Sequence, residues 1–467
     1  MWCIDFFKAS FRITVPALAF TLSGVPSGRA QTVSVAAVCN PASDGSNPCP
    51  RHIRLHTASS LSAMARVGRA MFFDQALSGS GHFSCASCHD PSLHYGPAGT
   101  APVFLGGRNA DRQGRREIPG LTYLERQPPF SIGPDDAVAD DVVPAVAVPA
   151  TGTAHAAKSA VNTASSAANL VPQGGLFLDG RADTLLQQAR GPMFDPDEMA
   201  ANKDQVIKRL QTADYAAPLR ELAGVRGQKS PDFLLAEGLF ALARYQIENQ
   251  AFHPYSSKFD FWLQGKAHFT PEESKGYVLF NDPAKGNCAA CHVDTVRRDG
   301  LPPLFTDHQY EALAAPRNMA LQRNKNPSYY DLGVCDQKPD GRKNLAPYCG
   351  MFATPTLRNT STRQTFFHNG IFHSLEDVLD FYVLRDIEPQ RFYPEDTRGK
   401  AQLYNDLPQV YKSNVDRTDA PFNRKPGDVP ALSRSERKAI IAFLKTLTDG
   451  WSDENDNYKN KVLKRPD

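Results

Sequence analysis

The chain has 467 residues and a formal net charge of +2, with no run of like charges. This near-neutral balance gives no support for nucleic-acid binding and sets that class aside. With 41% hydrophobic residues, a chain of this length is expected to form two or three domains, each with its own core.

Residues 1–30 have the pattern of a secretory signal peptide. Lys8 and Arg12 give a positive start, an apolar stretch follows over residues 13–25, and small residues end the segment. The apolar stretch is shorter than the about 20 residues that span a bilayer, and Pro16 interrupts it. We therefore expect export to the periplasm and no membrane span in the mature chain.

Four cysteines form two close pairs in segments rich in Gly, Pro and Asn. Cys39 lies near Cys49, and Cys335 lies near Cys349. In an oxidising compartment such pairs are expected to form disulfides, with reduced, buried thiols as the alternative.

The same order of helix, loop and Cys-x-x-Cys-His occurs twice along the chain. Residues 61–73 have the apolar periodicity of a helix and lead to the first motif at residues 85–89. Thr270 and Glu273 form a predicted capping box, with a proline at the first helical position, ahead of the second motif at residues 288–292.

Cys-x-x-Cys-His is the attachment signature of c-type haem. The two thiols lie on one turn and can add to the two vinyl groups of a porphyrin, and the adjacent histidine becomes an axial iron ligand. Zinc sites and thioredoxin-like redox pairs are the alternatives, but a histidine directly follows each pair and the two motifs are far apart. The residues predicted to hold two covalently bound haems are Cys85, Cys88, His89, Cys288, Cys291 and His292.

The remaining segments favour a mainly α fold. Residues 133–175, rich in Ala, Val, Pro, Ser and Asp, are predicted to be a long insertion or surface loop. Near the C-terminus, Ser433 and Glu436 form a capping box before an apolar helix. Convincing strands are few, so we expect two cytochrome c-like haem domains with long irregular loops, over residues 31–265 and 266–467.

Several short motifs, in their order and spacing, resemble the bacterial di-haem cytochrome c peroxidase and MauG superfamily across nearly all of the mature chain. They include Cys-His-Asp-Pro at residues 88–91, Phe-Leu-Asp-Gly-Arg-Ala at 177–182, Gly-Pro at 191–192, Glu-Met at 198–199, Pro-Thr-Leu-Arg-Asn at 355–359 and Phe-His-Asn-Gly at 367–370. The resemblance implies a peroxidatic first haem and an electron-transfer second haem.

The resemblance also implies a catalytic pocket at the first haem. Glu198 falls where the family keeps its distal acid/base, and Pro192 and Gln188 match pocket positions; without the resemblance, Glu198 would be read as a solvated loop acid. A carboxylate can take a proton from bound peroxide and deliver it to the leaving oxygen. Many members block the resting iron with a histidine, but residues 105–121 contain none, and His155 in the insertion is the nearby alternative. We therefore expect this iron to be open without prior reduction.

The second haem is expected to store or relay an oxidising equivalent. In the peroxidase branch its distal ligand is a methionine fourteen residues after the histidine of the Phe-His-x-Gly motif; counted from His368, the residue here is Tyr382, the pattern of the MauG-like branch. Tyr382 continues the helical spacing of Leu375 and Leu379, which predicts an inward-facing tyrosine and also suits an ordinary core residue. The fallback ligands are Met351, His368 and His373.

Two departures from the family concern the region between the haems. Leu178 stands where the family commonly has a tryptophan, so electron transfer between the haems would use Phe177, bound water or direct coupling on the propionate side. Several members bind Ca²⁺ between domains. The best-aligned position here is Glu117, with the carbonyl groups of Arg363 and Thr365 as further oxygen donors.

The resemblance implies a periplasmic di-haem peroxidase that reduces hydrogen peroxide with electrons from a small cytochrome c or cupredoxin. The rival enzyme hypothesis is a MauG-like protein that uses high-valent iron to oxidise residues of a partner protein. Tyr382 and the missing distal histidine favour this rival, and the missing tryptophan weakens it. A non-enzymatic di-haem electron carrier is the third hypothesis, against which the Pro192 and Glu198 pocket argues. The sequence leaves open the electron donor, the haem potentials and the oligomeric state, a homodimer included.

Overall fold

The structure is a computed structural model that describes residues 39–53, 55, 60–134, 170–296, 299–336 and 345–452. The predicted signal peptide and His155 lie outside these residues. The described part of the chain is mainly α-helical, as the sequence predicts, with short strands and long connecting segments.

The helices are α1 (Ala63–Phe72), α2 (Cys85–Cys88), α3 (Leu185–Phe194), α4 (Lys203–Thr212), α5 (Ala216–Lys229), α6 (Pro231–Glu248), α7 (Lys258–Leu263), α8 (Pro271–Asn281), α9 (Leu375–Leu384) and α10 (Arg434–Lys445). The strands form three antiparallel pairs: β1 (Leu105–Gly106) with β2 (Arg112–Gln113), β3 (Ser131–Pro134) with β4 (Leu170–Gln173), and β5 (Tyr310–Glu311) with β6 (Phe352–Ala353).

Both predicted capping boxes are confirmed. At the start of α8, the Thr270 hydroxyl accepts the Glu273 N–H at 3.2 Å, and the Glu273 carboxylate accepts the Thr270 N–H at 2.7 Å. Ser433 and Glu436 make the same reciprocal pair at the start of α10. Each box satisfies N–H groups that the first turn of a helix leaves without a partner.

Helices α1 and α3 to α6 surround a first hydrophobic core, in which α1 packs mainly against α6. Its members include Val67, Met71, Phe72, Leu210, Leu219, Leu235, Leu239, Leu242, Tyr245 and Phe252. Gly68 lets α1 approach α6 closely, because a Cβ atom at this position would lie 1.8 Å from the Ala241 carbonyl oxygen.

Helices α7 to α10 surround a second hydrophobic core. Its members include Phe259, Trp262, Phe269, Tyr277, Phe280, Phe305, Leu375, Leu379, Ile440, Phe443 and Leu444. The chain passes from the first core to the second between Phe252 and Phe259, slightly before the predicted boundary at residue 265. The division into two haem domains stays a prediction.

The N-terminal described segment packs on the second core rather than the first. Trp262 donates its Nε1–H to the Gly45 carbonyl at 3.0 Å, and the Asn47 amide donates to the Trp262 carbonyl at 3.2 Å. The predicted disulfides Cys39–Cys49 and Cys335–Cys349 are both present, and the first of them closes this segment.

The predicted insertion begins and ends in a paired ladder. In the pairing of β3 with β4, Ser131 lies opposite Gln173 and Pro134 lies opposite Leu170. The interior of the insertion, residues 135–169, is outside the described part of the chain. Within the described ranges, no helix is both long and apolar enough to cross a bilayer.

Candidate functional site

Each Cys-x-x-Cys-His motif lines its own cavity. The smaller cavity, of about 220 Å³, is bounded by Cys85, Cys88 and His89. The larger cavity, of about 360 Å³, is bounded by Cys288, Cys291 and His292. The structure therefore keeps the two predicted attachment sites separate.

The first motif places two thiols one turn apart on a cavity wall. Helix α2 carries both, and the His89 N–H donates to the Cys85 carbonyl at 2.9 Å. Burial raises the pKa of Cys85 to about 12, and burial, with the nearby Glu198 charge, raises that of Cys88 to about 12. None of the four motif cysteines takes part in the disulfides. Such thiols suit covalent attachment of a porphyrin.

Both motif histidines have a backbone partner for one ring nitrogen. His89 Nδ1 lies 3.2 Å from the Tyr95 carbonyl oxygen, and His292 Nδ1 lies 2.9 Å from that of Phe305. A carbonyl partner selects the tautomer with a proton on Nδ1 and so directs Nε2 to a metal. Burial lowers the pKa of His89 to about 4, which keeps its ring neutral. The donors of each cavity thus fit a c-type haem.

The three predicted catalytic residues come together on the smaller cavity. Gln188 and Pro192 reach it from α3, which begins at the N-cap Thr184. Glu198 follows that helix on an irregular segment and lines the same cavity. Their catalytic roles stay predictions, but the structure places them on the same cavity as Cys85, Cys88 and His89.

Backbone contacts hold the segment that carries Glu198. Its N–H donates to the Asp195 carbonyl at 3.1 Å, and its carbonyl accepts the Gly107 N–H at 2.7 Å. A glycine is needed at position 106, because a Cβ atom there would lie 2.4 Å from the Asp197 carbonyl oxygen. The backbone at residues 106 and 107 therefore fixes the position of Glu198 on the cavity wall.

Electrostatics favour a protonated Glu198 at moderate pH. Burial raises its pKa to about 7, the charges of Asp195 and Asp197 add to this, and Arg181 opposes it. A carboxyl group with a pKa near the working pH can both accept and return a proton.

Tyr382 lies on the larger cavity. Leu375, Val378 and Leu379 line the same cavity from α9, so the predicted helix face does point inward. Burial and the neighbouring Cys291 and Cys288 thiols raise the pKa of Tyr382. Its role as an iron ligand stays a prediction.

The fallback ligands are less well placed. His368 lines the larger cavity, but its ring stacks on Phe352 with 3.8 Å between ring centroids. Met351 and His373 are not among the residues that line this cavity. In the smaller cavity, His89 is the one histidine among the described lining residues; because His155 lies outside the described residues, the open first iron stays a prediction.

A thin wall separates the two cavities. The residues that line both are Glu117, Pro119, Leu121, Phe177, Leu178 and Gln188. Leu178 therefore lies between the sites, and Phe177 is the aromatic residue of the wall, with the Arg181 guanidinium 3.4 Å from its ring centroid. Trp262 lines neither cavity and is buried in the second core.

The predicted calcium ligand is already paired with a cation. The Arg363 guanidinium donates to Glu117 Oε1 and, at 2.5 Å, to the Ile118 carbonyl, while the Thr365 hydroxyl donates to Glu117 Oε1 at 3.0 Å. The sequence predicts that the Arg363 carbonyl group binds the metal. In the structure, the Arg363 side chain donates a hydrogen bond to the Glu117 carboxylate instead. In this arrangement Glu117 Oε1 already accepts hydrogen bonds from the Arg363 guanidinium and the Thr365 hydroxyl, which does not fit a Ca²⁺ ligand.

Buried ion pairs also lie beside the two cavities. Arg116 lies 2.7 Å from both Asp179 and Asp331 and lines the smaller cavity. Arg358, on the larger cavity, makes two hydrogen bonds to Asp260 at 2.8 and 2.9 Å. Each partner is distant in sequence, so no local pattern could have revealed these pairs.

Comparisons with known proteins place the chain among di-haem enzymes. A family model described as di-haem cytochrome c peroxidase matches residues 62–268. The chain is 30% identical over 407 residues to the methylamine utilization protein MauG of Paracoccus denitrificans, covering 83% of this chain and 89% of that protein. It is 26% identical to cytochrome c551 peroxidase of Nitrosomonas europaea, covering 84% and 81%. The diheme peroxidase BthA from Burkholderia thailandensis has a similar structure, with a TM-score of 0.70, 32% identity and coverage of 88% and 95%.

Proposed function

The chain belongs to the di-haem cytochrome c peroxidase and MauG family of oxidoreductases, and from this premise we propose that it is a periplasmic peroxidase. It reduces hydrogen peroxide with electrons from a small redox protein such as a cytochrome c or cupredoxin. Membership of the family implies two c-type haems, one for each cavity.

The observation that carries the proposal is the difference between the two cavities. The smaller one presents Glu198, with a pKa near 7, and no described histidine besides His89. The larger one presents Tyr382 from the face of α9. One site therefore has a proton-transfer group with room for a small substrate, and the other has a side chain suited to iron ligation.

In this proposal Glu198 moves the protons of the reaction. Cys85, Cys88 and His89 would hold a haem in the smaller cavity, which would supply the iron chemistry that takes up the oxidising equivalents of peroxide. The Glu198 carboxylate would accept a proton from one oxygen of hydrogen peroxide and return it to the other, which would leave as water. Two electrons from the donor protein and two protons from solvent would convert the remaining oxygen into a second water. Pro192 and Gln188 complete the wall and limit the space around the substrate.

The larger cavity serves electron delivery. His292 and Tyr382, which line this cavity, would hold its haem, and an anionic oxygen donor would lower the haem potential relative to a thioether. Electrons pass from there through the wall that contains Phe177 and Leu178 to the smaller cavity. Because position 178 is a leucine, Phe177 is the aromatic residue among the described residues that line both cavities.

A second candidate function is oxidation of residues on a partner protein, as in the MauG-like branch. Tyr382 on the larger cavity and the absence of a second described histidine on the smaller one favour it. The two candidate functions differ in what is oxidised: a small redox protein in the first, and residues of a partner protein in the second. A kinetic experiment distinguishes them.

The deciding experiment is stopped-flow mixing of H₂O₂ with the fully oxidised protein, with and without reduced cytochrome c. Rapid oxidation of the cytochrome supports the peroxidase. A long-lived oxidised state of the protein that does not react with the reduced cytochrome supports the partner-oxidising enzyme. Absence of any reaction with peroxide contradicts both and leaves a plain electron carrier.

Replacement of Glu198 tests the acid/base role directly. Glu198→Gln is expected to lower the rate constant for reaction with peroxide by roughly 10²–10⁴-fold, because the amide cannot carry the proton. Glu125→Gln is the matched control: burial also raises the pKa of Glu125 to about 7, but this residue lines neither cavity. Equal rates for Glu198→Gln and the wild type would remove Glu198 from the mechanism.

A further inference from the structure

Glu117 and Arg363 form an ion pair where the two halves of the chain meet, with the carboxylate buried and the guanidinium half-buried. Glu117 is 6% exposed and lines both cavities, and Arg363 borders the larger one. The partners are 246 residues apart in sequence. The contact is reinforced by the backbone, since the Glu117 N–H donates to the His368 carbonyl at 2.9 Å.

Three hydrogen bonds satisfy the oxygen atoms of Glu117 and Ile118 at this site. One nitrogen of the Arg363 guanidinium reaches both the Glu117 carboxylate and the Ile118 carbonyl, and the Thr365 hydroxyl donates to the same carboxylate oxygen. The oxygen atoms of Glu117 and Ile118 that could face a metal ion thus already face a cationic nitrogen. A buried carboxylate requires such a partner, because an unpaired buried charge is strongly destabilising.

Charge balance argues against a metal ion beside this pair. The carboxylate and the guanidinium cancel, so the buried site is neutral as it stands. A divalent cation added next to them would leave two uncompensated positive charges close to the guanidinium, in a medium that screens them poorly. Ca²⁺ also prefers six to eight oxygen ligands, and the Thr365 hydroxyl is oriented as a donor to Glu117.

We propose that the Arg363 guanidinium occupies the position a divalent cation would take between Glu117, Ile118 and Thr365, so that the contact between the two halves is held without metal. The side chain supplies the positive charge permanently, as part of the polypeptide. Chelators and calcium concentration therefore leave this contact unchanged. The inference does not depend on the proposed peroxidase activity.

The test compares the haem-loaded wild type with variants at both ends of the pair. The thermal midpoint is followed by haem absorbance in EDTA and in CaCl₂, and bound calcium is counted by mass spectrometry after dialysis. The wild type is expected to hold no stoichiometric calcium and to melt at the same temperature in both solutions. This measurement stands even if a variant fails to fold.

Arg363→Ala removes the guanidinium and leaves the oxygen atoms behind. We expect its midpoint to fall by several degrees in EDTA and to recover in CaCl₂, because Ca²⁺ can now approach Glu117. Arg363→Gln, which keeps more of the side chain's bulk, replaces it if the alanine variant does not accumulate. The double variant Glu117→Gln, Arg363→Ala is the matched control, and without the carboxylate it should not respond to calcium. Arg363→Lys should resemble the wild type.

Two results would overturn the inference. One is a wild type that retains about one calcium ion per chain and loses stability in EDTA. The other is an Arg363→Ala protein that folds but gains no calcium-dependent stability, since the guanidinium and the metal would then not compete for one position.

Discussion

Glu198 and Glu125 have similarly raised pKa values but lie in different surroundings. Burial raises the pKa of each to about 7. Glu125 lies near His253, with 4.0 Å between Oε2 and Nδ1, whereas Glu198 borders the cavity of the first motif. An altered pKa alone therefore does not identify the catalytic acid; the cavity does.

The raised pKa of Glu198 predicts a pH dependence. The carboxylate form accepts the first proton, and the fraction in that form increases as pH rises through about 7. We expect the rate constant for the reaction of H₂O₂ with the oxidised protein to rise through this pH and then level off. Stopped-flow measurements from pH 5.5 to 8.5 test this, and Glu198→Gln should lose the inflection. A wild-type profile that is flat or falling over this range contradicts the assignment.

At the residue scale, sequence reasoning succeeded where chemistry is carried by short motifs. It brought Glu198, Pro192 and Gln188 to one pocket, and the structure places all three on one cavity wall. It named Glu117 as a calcium ligand, but it did not reveal that Arg363, in the other half of the chain, donates a hydrogen bond to this carboxylate. Short sequence motifs do not indicate a pairing between residues so far apart in the chain.

At the scale of elements, the crossing of α1 and α6 holds the first motif in place. Gly68 allows the close approach of the two helices, and residues 85 and 86 of the following α2 pack on the same core. Movement of α1 would therefore shift the wall that carries the thiols.

Gly68→Ala tests the importance of this crossing. The added methyl group would overlap the Ala241 carbonyl, so the helices must separate, and overpacking of this kind costs about 1–3 kcal/mol of unfolding free energy. Ala70→Ser alters the exposed face of the same helix and should change stability by less than about 0.5 kcal/mol. Denaturant unfolding measures both; equal stabilities of the two variants would show that α1 adjusts without cost.

Elements were predictable where a local signal marks them. The capping boxes at Thr270 and Ser433 set the starts of α8 and α10, and apolar spacing revealed α1 and the inward face of α9. The run α3 to α6 was not predicted element by element. Its α5 is interrupted at Gly224, where φ is +59°, and packing against α1 and α6 stabilises helices whose own periodicity is weak.

At the scale of the whole molecule, two cores are joined across a wall of shared residues. Polar contacts cross between the halves, as Arg116 with Asp331, Glu117 with Arg363, and the Tyr123 hydroxyl with Asp449 at 2.6 Å. The repeated motif predicted two sites, and the structure gives two cavities. The packing of residues 39–53 on the distant second core was beyond sequence reasoning, since it depends on contacts such as that of Gly45 with Trp262.

The central claim is that the two sites are unequal. We propose that a haem iron in the smaller cavity would be open beside Glu198, and that one in the larger cavity would be ligated by Tyr382. Neither motif alone distinguishes these states, because both carry the same thiols and the same histidine. The difference comes from the surrounding residues of α3 and α9.

The most direct test is a low-temperature EPR and near-infrared magnetic circular dichroism spectrum of the fully oxidised protein. The account predicts one high-spin haem and one low-spin haem without a His/Met band, with Tyr382→Phe changing the low-spin signal alone. Two low-spin haems, or a His/Met band at the second site, would contradict it.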